Sequence, residues 1–525
     1  LALATTVACG QDPRDDEAST SVTATMSGTS AGTSTTTASG TDTNASDGIK
    51  LDANVSQDLG NLGGASCDDL EALPTNQGCE FWAVDLPNVS SAPLATTPHD
   101  QQFAVVVTNS AGNDTANVEV FVGAQGSAID GGPVPPDTMR VFELPSLNIM
   151  PGATTADGVA YRVVSDLPIS AYQFQPLDNS TPVYSNDATL LFPTNVLGSD
   201  YTAITGDATL VAADAFSQSD DNTGAFVSVV ATQDGTTVTL FPTAGLHPGV
   251  VNDVLLDRGQ VLTAISSERG APTFGNLSGT RVQADAPVAV FSGSVATSEP
   301  TSANACCADH LEHQMLPLTA WGTSYVAAPA VAAMGSGNDD SLYRITGAFD
   351  GTTLEYSPAA PMGAPTSIDA YETVAFVTDT PFTVHAPGAE PFAITQFLLS
   401  NQYFPALSRP GDPTMMLLTA TEQFQSRYVF LMPQGYATNF VTVVSPTGTT
   451  VTLDGAPLAG SPAAAGSVDG MDYQYLHVSA GAGAHVIEAD NPFGIIVSGH
   501  ANDVSYGYVG GSGVAVISDP PPPPG

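Results

Sequence analysis

The chain has 525 residues, of which 10 are Lys or Arg and 53 are Asp or Glu, giving a formal charge of −43. Nucleic acid is thereby excluded as a partner, because binding to phosphates through counterion release needs clustered cations. Only 12% of residues are charged, 42% are hydrophobic, and there are 50 Gly and 40 Pro, a profile that fits turn-rich β structure better than helices with wet Lys, Glu and Arg faces.

The first residues, LALATTVACG, are an apolar run ending in small residues and a cysteine. Residues 1–9 therefore read as a signal-peptide remnant. Val7, Ala8 and Cys9 resemble a bacterial lipobox, in which the cysteine is lipidated and becomes the mature N-terminus. Thr6 stands where such signals carry an aliphatic residue, and an ordinary signal peptide cut nearby is the alternative. Either reading exports the protein. Residues 10–50 are almost all Ser, Thr, Gly, Ala, Asp and Asn, too polar to offset ordering entropy, and are expected to form a disordered tether. Gly28 to Gly32 spell G-x-S-x-G, but this tract supplies neither the strand nor the helix that a nucleophile elbow needs. No later segment offers the ~18 consecutive apolar residues of a membrane span. Residues 516–525 form a Pro-rich tail, stiff and extended.

Between tether and tail, three marks recur. GTTVTL occurs at 235–240 and 448–453 and GTTLEY at 351–356, at separations of 116 and 97 residues. Apolar segments precede them, FVSVVAT at 226–232 and NFVTVVS at 439–445, so each is expected to be a β-hairpin whose threonines face water. D-x-P followed by an apolar residue occurs at Asp166–Ile169, Asp285–Val288, Asp379–Phe382 and Asp490–Phe493, spaced by 119, 94 and 111 residues, with Pro expected at a strand start. G-x-x-Y occurs at Gly198–Tyr201 and Gly322–Tyr325, with a degenerate copy at Gln425–Tyr428, and is expected to open a first strand. About six short strands per ~100 residues predict an all-β chain of about four tandem antiparallel β-sandwich units. The expected units are 51–182, 183–296, 297–405 and 406–515. A β-propeller is the rival, although its blades need a shorter period.

Five cysteines are present: Cys9, Cys67, Cys79, Cys306 and Cys307. In an exported chain Cys67 and Cys79 are expected to close a twelve-residue loop before GCEFWAVDL, contributing roughly 3 kcal/mol. Adjacent Cys306 and Cys307 either form a vicinal disulfide or engage a distant thiol, and four thiols allow three connectivities. The stretch Cys306, Cys307, Ala308, Asp309, His310, Leu311, Glu312, His313 is dense in potential zinc ligands. On a helical turn His310 and His313 would share a side, yet the cysteines have a competing use and no H-E-x-x-H is present, so no metal and no cofactor are expected. Asp220, Asp221 and Asn222, and Asn338, Asp339 and Asp340, offer oxygen ligands for calcium without EF-hand spacing, and solvated turns are the favoured reading.

GCEFWAVDL at 78–86, DAPVAVFSGS at 285–294 and CADHLEHQMLPLTAWGTSYVAAP at 307–329 resemble the IgGFc-binding protein N-terminal domain, of the kind found in exported bacterial proteins, notably from myxobacteria. The resemblance runs from about residue 78 to 509. Its most specific part is H-[LV]-x-x-Q, then L-P, then W-G-x-x-Y, here His310, Leu311, Gln314, Leu316, Pro317, Trp321, Gly322 and Tyr325. Relatives tend to separate the two cysteines before this motif, whereas Cys306 and Cys307 are adjacent. The resemblance implies a non-enzymatic extracellular binding or adhesion module, for which a protein or glycan ligand is expected; the lipobox-like Cys9 and the tether add the expectation of a lipid anchor at a bacterial outer membrane or cell surface, with membrane touched only through that anchor. The 295–322 segment is the candidate loop, with His310, His313, Gln314 and Trp321 as candidate binding residues. Trp321 is more simply explained as packed against the next unit. The alternatives are a metal-dependent extracellular hydrolase using His310 and His313, and a purely structural surface spacer.

Overall fold

The computed structural model describes residues 66–518, apart from 73, 90–97, 111–113, 148, 150–155, 178, 180–184, 209–223, 248–250, 268–274, 302–307, 334–336 and 405–408. Among the described residues every regular element is a β-strand or a short 3₁₀ turn. The signal remnant, Cys9, the tether, Cys306, Cys307 and most of the Pro-rich tail lie outside them.

Four modules repeat one topology, each a pair of facing antiparallel sheets. In the first, the long bent strand Ala160–Gln175 serves both sheets. Its first half lies between Gly78–Val84 and Ala116–Val122, and its second half between Phe103–Asn109 and Asp187–Leu191. The last module repeats this with Gly483–Ala501, whose halves pair with Gln425–Met432 and Val451–Leu453, then with Thr438–Pro446 and Val504–Val509. In the second module the same path is broken into Arg281–Ala284 and Val288–Thr297, and in the third into Phe382–His385 and Phe392–Phe397. These are sandwiches and not single-sheet propeller blades, as the strand count per repeat predicts.

Burial follows this layering. Ala116–Val122 alternates, with Val118 and Val120 inside and Asn117 and Glu119 outside, as a half-wet sheet requires. Ala225–Ala231, the central strand of its sheet, is buried at all seven positions. Trp82 and Trp321 are both fully enclosed, and Trp321 Nε1 donates to the Leu316 carbonyl at 3.3 Å.

The recurring marks acquire physical roles here, and one expectation is corrected. The GTT turns are not hairpins. Ala225–Ala231 already pairs with Val261–Ser266 on one edge and Val288–Thr297 on the other, so no edge is free for Thr236–Phe241. That strand crosses to the opposite sheet and pairs with Val254–Leu256 and Arg281–Ala284. GTT is thus a sandwich corner. Gly235, Gly351 and Gly448 hold φ of 73°, 70° and 90° there, a region that favours glycine.

The D-x-P aspartate secures the corner from the other side. Thr237 N–H donates to Asp285 Oδ1 at 2.7 Å, Thr450 N–H to Asp490 Oδ1 at 2.9 Å, and Asn117 N–H to Asp166 Oδ1 at 2.7 Å. Those bonds hold the carboxyls of Asp285 and Asp490 below their ordinary range. Proline opens a strand in the second and third modules, whereas Pro168 and Pro492 lie inside the two continuous strands at the bend between sheets. The G-x-x-Y tyrosine does open the first strand. Its hydroxyl accepts from the N–H three residues back, as Tyr201 does from Gly198 (2.8 Å), Tyr325 from Gly322 (3.2 Å) and Tyr428 from Gln425 (3.0 Å). The same hydroxyls donate to the carbonyls of Val288, Phe392 and Phe493.

In each of the first three modules the second sheet ends on a strand drawn from the chain that follows the module. Asp187–Leu191, Asp309–Gln314 and Met415–Leu417 come after residues 182, 296 and 405 and pair with the strand before them. These three and Val504–Val509 pack in a closed cycle, in which the first and third each touch the second and fourth. The ends meet as well, since Asn76 N–H donates to the Ser512 carbonyl and Val514 N–H to the Pro74 carbonyl, both at 3.0 Å. The described residues, all within 56–525, accordingly form one compact unit.

Candidate functional site

The strand Asp309–Gln314, sequence DHLEHQ, lies in that cycle and is buried at all six positions. Gly293 on the neighbouring strand permits the approach, since a Cβ there would sit 1.8 Å from the Leu311 carbonyl oxygen. Side chains that sequence pattern assigns to a wet surface are therefore enclosed, and their partners come from all four modules.

Asp187, 1% exposed, is the main junction. Its Oδ1 accepts from Ala188 N–H at 2.9 Å and from the Thr414 hydroxyl, and its Oδ2 accepts from the N–H groups of Glu312 and Met415, each at 3.2 Å. One carboxyl thus ties the first, second and third modules. Asp309 ties the second to the first and fourth, accepting from Asn186 N–H at 2.6 Å and Ser505 N–H at 3.4 Å. Gln173 Nε2 donates to Glu312 Oε2 at 2.9 Å, and His310 Nε2 stands 3.5 Å from the same oxygen.

Among the described residues no arginine or lysine pairs with Asp187, Asp309 or Glu312. Burial pushes the Asp187 carboxyl up to about 8 against the four hydrogen bonds that hold it down. Burial raises Asp309 and Glu312 well above the carboxylate range too, and repulsion from Asp187 adds to both. The histidines move the other way, His310 to about 3 and His313 to about 4, because burial disfavours the cation. Both imidazoles are therefore neutral at pH 7.

His310 and His313 sit on a strand and not on a helical turn. Three residues apart, they project to opposite faces. His310 stacks on Phe226, and His313 Nδ1 bonds the Gln314 carbonyl at 2.6 Å. Among the described residues no group of three or more His, Cys, Asp or Glu is arranged to hold a metal. Gln314 uses its side-chain amide as a substitute peptide, accepting from Phe192 N–H at 2.8 Å. Gln173 does the same with Val84, at 3.0 and 3.1 Å. Trp321 completes the set of sequence candidates, and all four are at most 1% exposed. Gln314 joins its strand to Phe192, His310, His313 and Trp321 are engaged within their own surroundings, and none of the four is presented to solvent.

Cys67 and Cys79 form a disulfide, with Cα atoms 5.9 Å apart. Asp339 pairs with Arg409 and accepts from Ala333 N–H, which occupies that acidic turn, whereas residues 220–222 lie outside the described segments. Asp187 escaped sequence reading because one acid among 53 carries no mark. Asp309 and Glu312 lie in the ligand-dense stretch 306–313, in which the two histidines are the more specific signal.

All seven described arginines are ion-paired, in a chain whose formal charge is −43. A recess of about 260 Å³ opens at the mouth of the fourth sandwich between Val443, Val451, Leu458 and Tyr475.

A family model described as IgGFc binding protein matches residues 187–499. The chain belongs to that family. The matched region of this family member begins at Asp187, with the closing strand of the first module, takes in the second and third modules, and ends inside Gly483–Ala501 of the fourth, before its closing strand Val504–Val509. A human relative, the IgGFc-binding protein of Homo sapiens, is 26% identical over 250 residues, 46% of this chain. The chain spans only 4% of that protein's length. A solved structure of an anti-sigma factor domain-containing protein from Clostridium clariflavum covers 76% of this chain and 99% of its own, at 8% identity and a TM-score of 0.11, too low to bear on the fold.

Proposed function

We propose that this family member is an exported, surface-displayed binding or adhesion module whose ligand is an extracellular protein or glycan. Family membership over residues 187–499 carries the proposal. The human relative's name states binding to immunoglobulin Fc, and the class of activity is carried to this chain without that ligand. A closed cycle of sandwiches supports the reading, because it carries connecting loops on a scaffold, where binding residues usually reside. The polar cluster supports a non-catalytic role, since its histidines are neutral and sealed from solvent. Lipidation of Cys9 and the tether of residues 10–50 would hold this scaffold at the outer membrane or cell surface.

The test is an array of glycans and extracellular proteins, immunoglobulin Fc among them, probed with the folded chain. Saturable binding to at least one class is expected. Absence of binding, together with turnover of hydrolase substrates, would reverse the reading. For the anchor, Cys9→Ser is expected to release the protein into the medium, and retention in the membrane fraction would refute it.

A further inference from the structure

The four modules treat one strand differently. In each, a strand stands at the edge of the second sheet, remote from the central cycle. Three of the four are protected in the ways proteins use to prevent unwanted strand pairing. In the second module Val261–Ser266 is covered by Leu246–His247 at one end and by Ala156 at the other. In the fourth, Met471–Ser479 is covered by Ala463–Val468. In the first, Thr138–Leu144 carries Arg140 and Glu143.

The third module's counterpart has neither device. Thr373–Thr378, sequence TVAFVT, pairs on its inner side with Ser341–Gly347, and among the described residues no strand pairs with its outer side. It has no charge, no proline and no glycine, and it is rich in β-branched residues. Ala375 is exposed, and Thr373, Val374, Val377 and Thr378 are partly so. A row of backbone N–H and C=O groups is thereby presented for a further strand.

Two neighbouring features say what would fit. A Cβ on Gly363 would lie 3.3 Å from Phe376 Cβ, which places the turn carrying Met362 beside the strand. Met362 is 93% exposed, the most exposed large apolar side chain among the described residues. Methionine is suited to packing against varied apolar partners. At the two ends of the strand stand exposed carboxylates, Glu372 before Thr373 and Asp379 after Thr378, and among the described residues no arginine is paired to either.

We infer that Thr373–Thr378 is a docking edge that takes an extended segment of a partner protein, apolar where it meets Met362 and carrying Lys or Arg at both ends. The inference rests on the binding reading above and adds its mode. Backbone pairing gives the affinity, and the carboxylates set the span. Glu372 and Asp379 are seven residues apart, or about 23 Å of extended chain, so the partner's cations belong at a matching spacing.

The probe is a labelled peptide, Lys-Lys-Thr-Val-Thr-Val-Thr-Val-Lys-Lys, with a Glu-flanked copy as control. Binding to the full chain is expected for the Lys-flanked peptide, with new hydrogen-exchange protection of residues 373–378, and roughly tenfold weaker binding for the Glu-flanked copy. Ala375→Pro and Val374→Pro are tested in turn. Alternate N–H groups point inward and outward, so one of the two removes an outward donor and keeps the native unfolding midpoint. That variant is expected to lose at least tenfold in affinity with no change of net charge. Undiminished binding by it, no binding of the Lys-flanked peptide to the native chain, or self-association of the chain through this edge in sedimentation would each overturn the inference. A ligand found on the array that still binds the proline variant would sink the docking edge and leave the binding function standing.

Discussion

Asp187→Ala removes the acceptor on which three modules converge. Three backbone N–H groups, those of Ala188, Glu312 and Met415, and the Thr414 hydroxyl then lose their partner in a site 1% exposed. A buried donor left unsatisfied costs about 1 to 3 kcal/mol. The hydroxyl can turn to another acceptor, a water can enter the vacated volume, and repulsion on Asp309 disappears, all of which reduce the sum. We expect a net loss of about 3 to 5 kcal/mol, the lower part of what four unsatisfied donors at about 1 to 3 kcal/mol each would cost. Asp187→Asn retains one acceptor oxygen and should cost about 1 to 3 kcal/mol. Urea unfolding at pH 6, followed by the fluorescence of the only two tryptophans, Trp82 and Trp321, both enclosed, reads the difference. A loss below about 1 kcal/mol for Asp187→Ala would refute the idea that this carboxyl joins the modules.

Other outcomes follow from the same geometry. The Asp187 carboxyl sits at about 8, above its unfolded value. Its contribution to stability is therefore fully present below pH ~4 and is lost as pH rises toward 8, so the urea midpoint should fall between pH 6 and 9. That fall should flatten in an Asp187→Asn, Glu312→Gln double variant, and an unchanged slope would show that general charge repulsion alone is responsible. Tyr325→Phe strips the Gly322 N–H of its acceptor and the Phe392 carbonyl of its donor, and should cost about 1 to 3 kcal/mol by denaturant unfolding. Reduction of Cys67–Cys79, which closes a twelve-residue loop, should cost about 3 kcal/mol, measured as the midpoint shift with and without reductant.

What could be read from the chain was local chemistry. G-T-T, D-x-P and G-x-x-Y are each satisfied within a few bonds of backbone: a positive φ, an aspartate accepting one N–H, a tyrosine bridging i−3 to a facing strand. Such features repeat in sequence because they repeat in space, so both the β class and the fourfold repeat were legible. Sheet partnership was not. Ala225–Ala231 and Thr236–Phe241 are neighbours in sequence and read as a hairpin, but strands from further along the chain take both edges of the first. The buried DHLEHQ strand was misread for a related reason. Its charge pattern signals a wet or metal-binding segment, and only closure of the cycle by three other modules encloses it. Burial of that kind is a property of the assembly and leaves no periodicity in the strand itself.

The placement of the arginines constrains what the exterior can recognise. Arg258 reaches from the second module to Glu80 of the first, Arg344 from the third to Glu299 and Asp207 of the second, and Arg427 from the fourth to Asp137 of the first. Three of the four seams are thus fastened by a cation, and the fourth is joined by hydroxyls of Thr323 and Ser324 on Glu422 and Asp469. Arg140, Arg162, Arg281 and Arg409 are paired within their own modules. Cations that fasten seams cannot also meet a ligand. An anionic partner would then find no uncommitted arginine among the described residues, and a cationic one would meet a chain of formal charge −43. Binding should weaken with salt if that complementarity drives it, because exposed charges more than ~8 Å apart are screened at physiological ionic strength. A neutral glycan would bind with no such dependence, so the salt response of whatever ligand is found separates an electrostatic protein interface from sugar recognition before any complex structure is in hand.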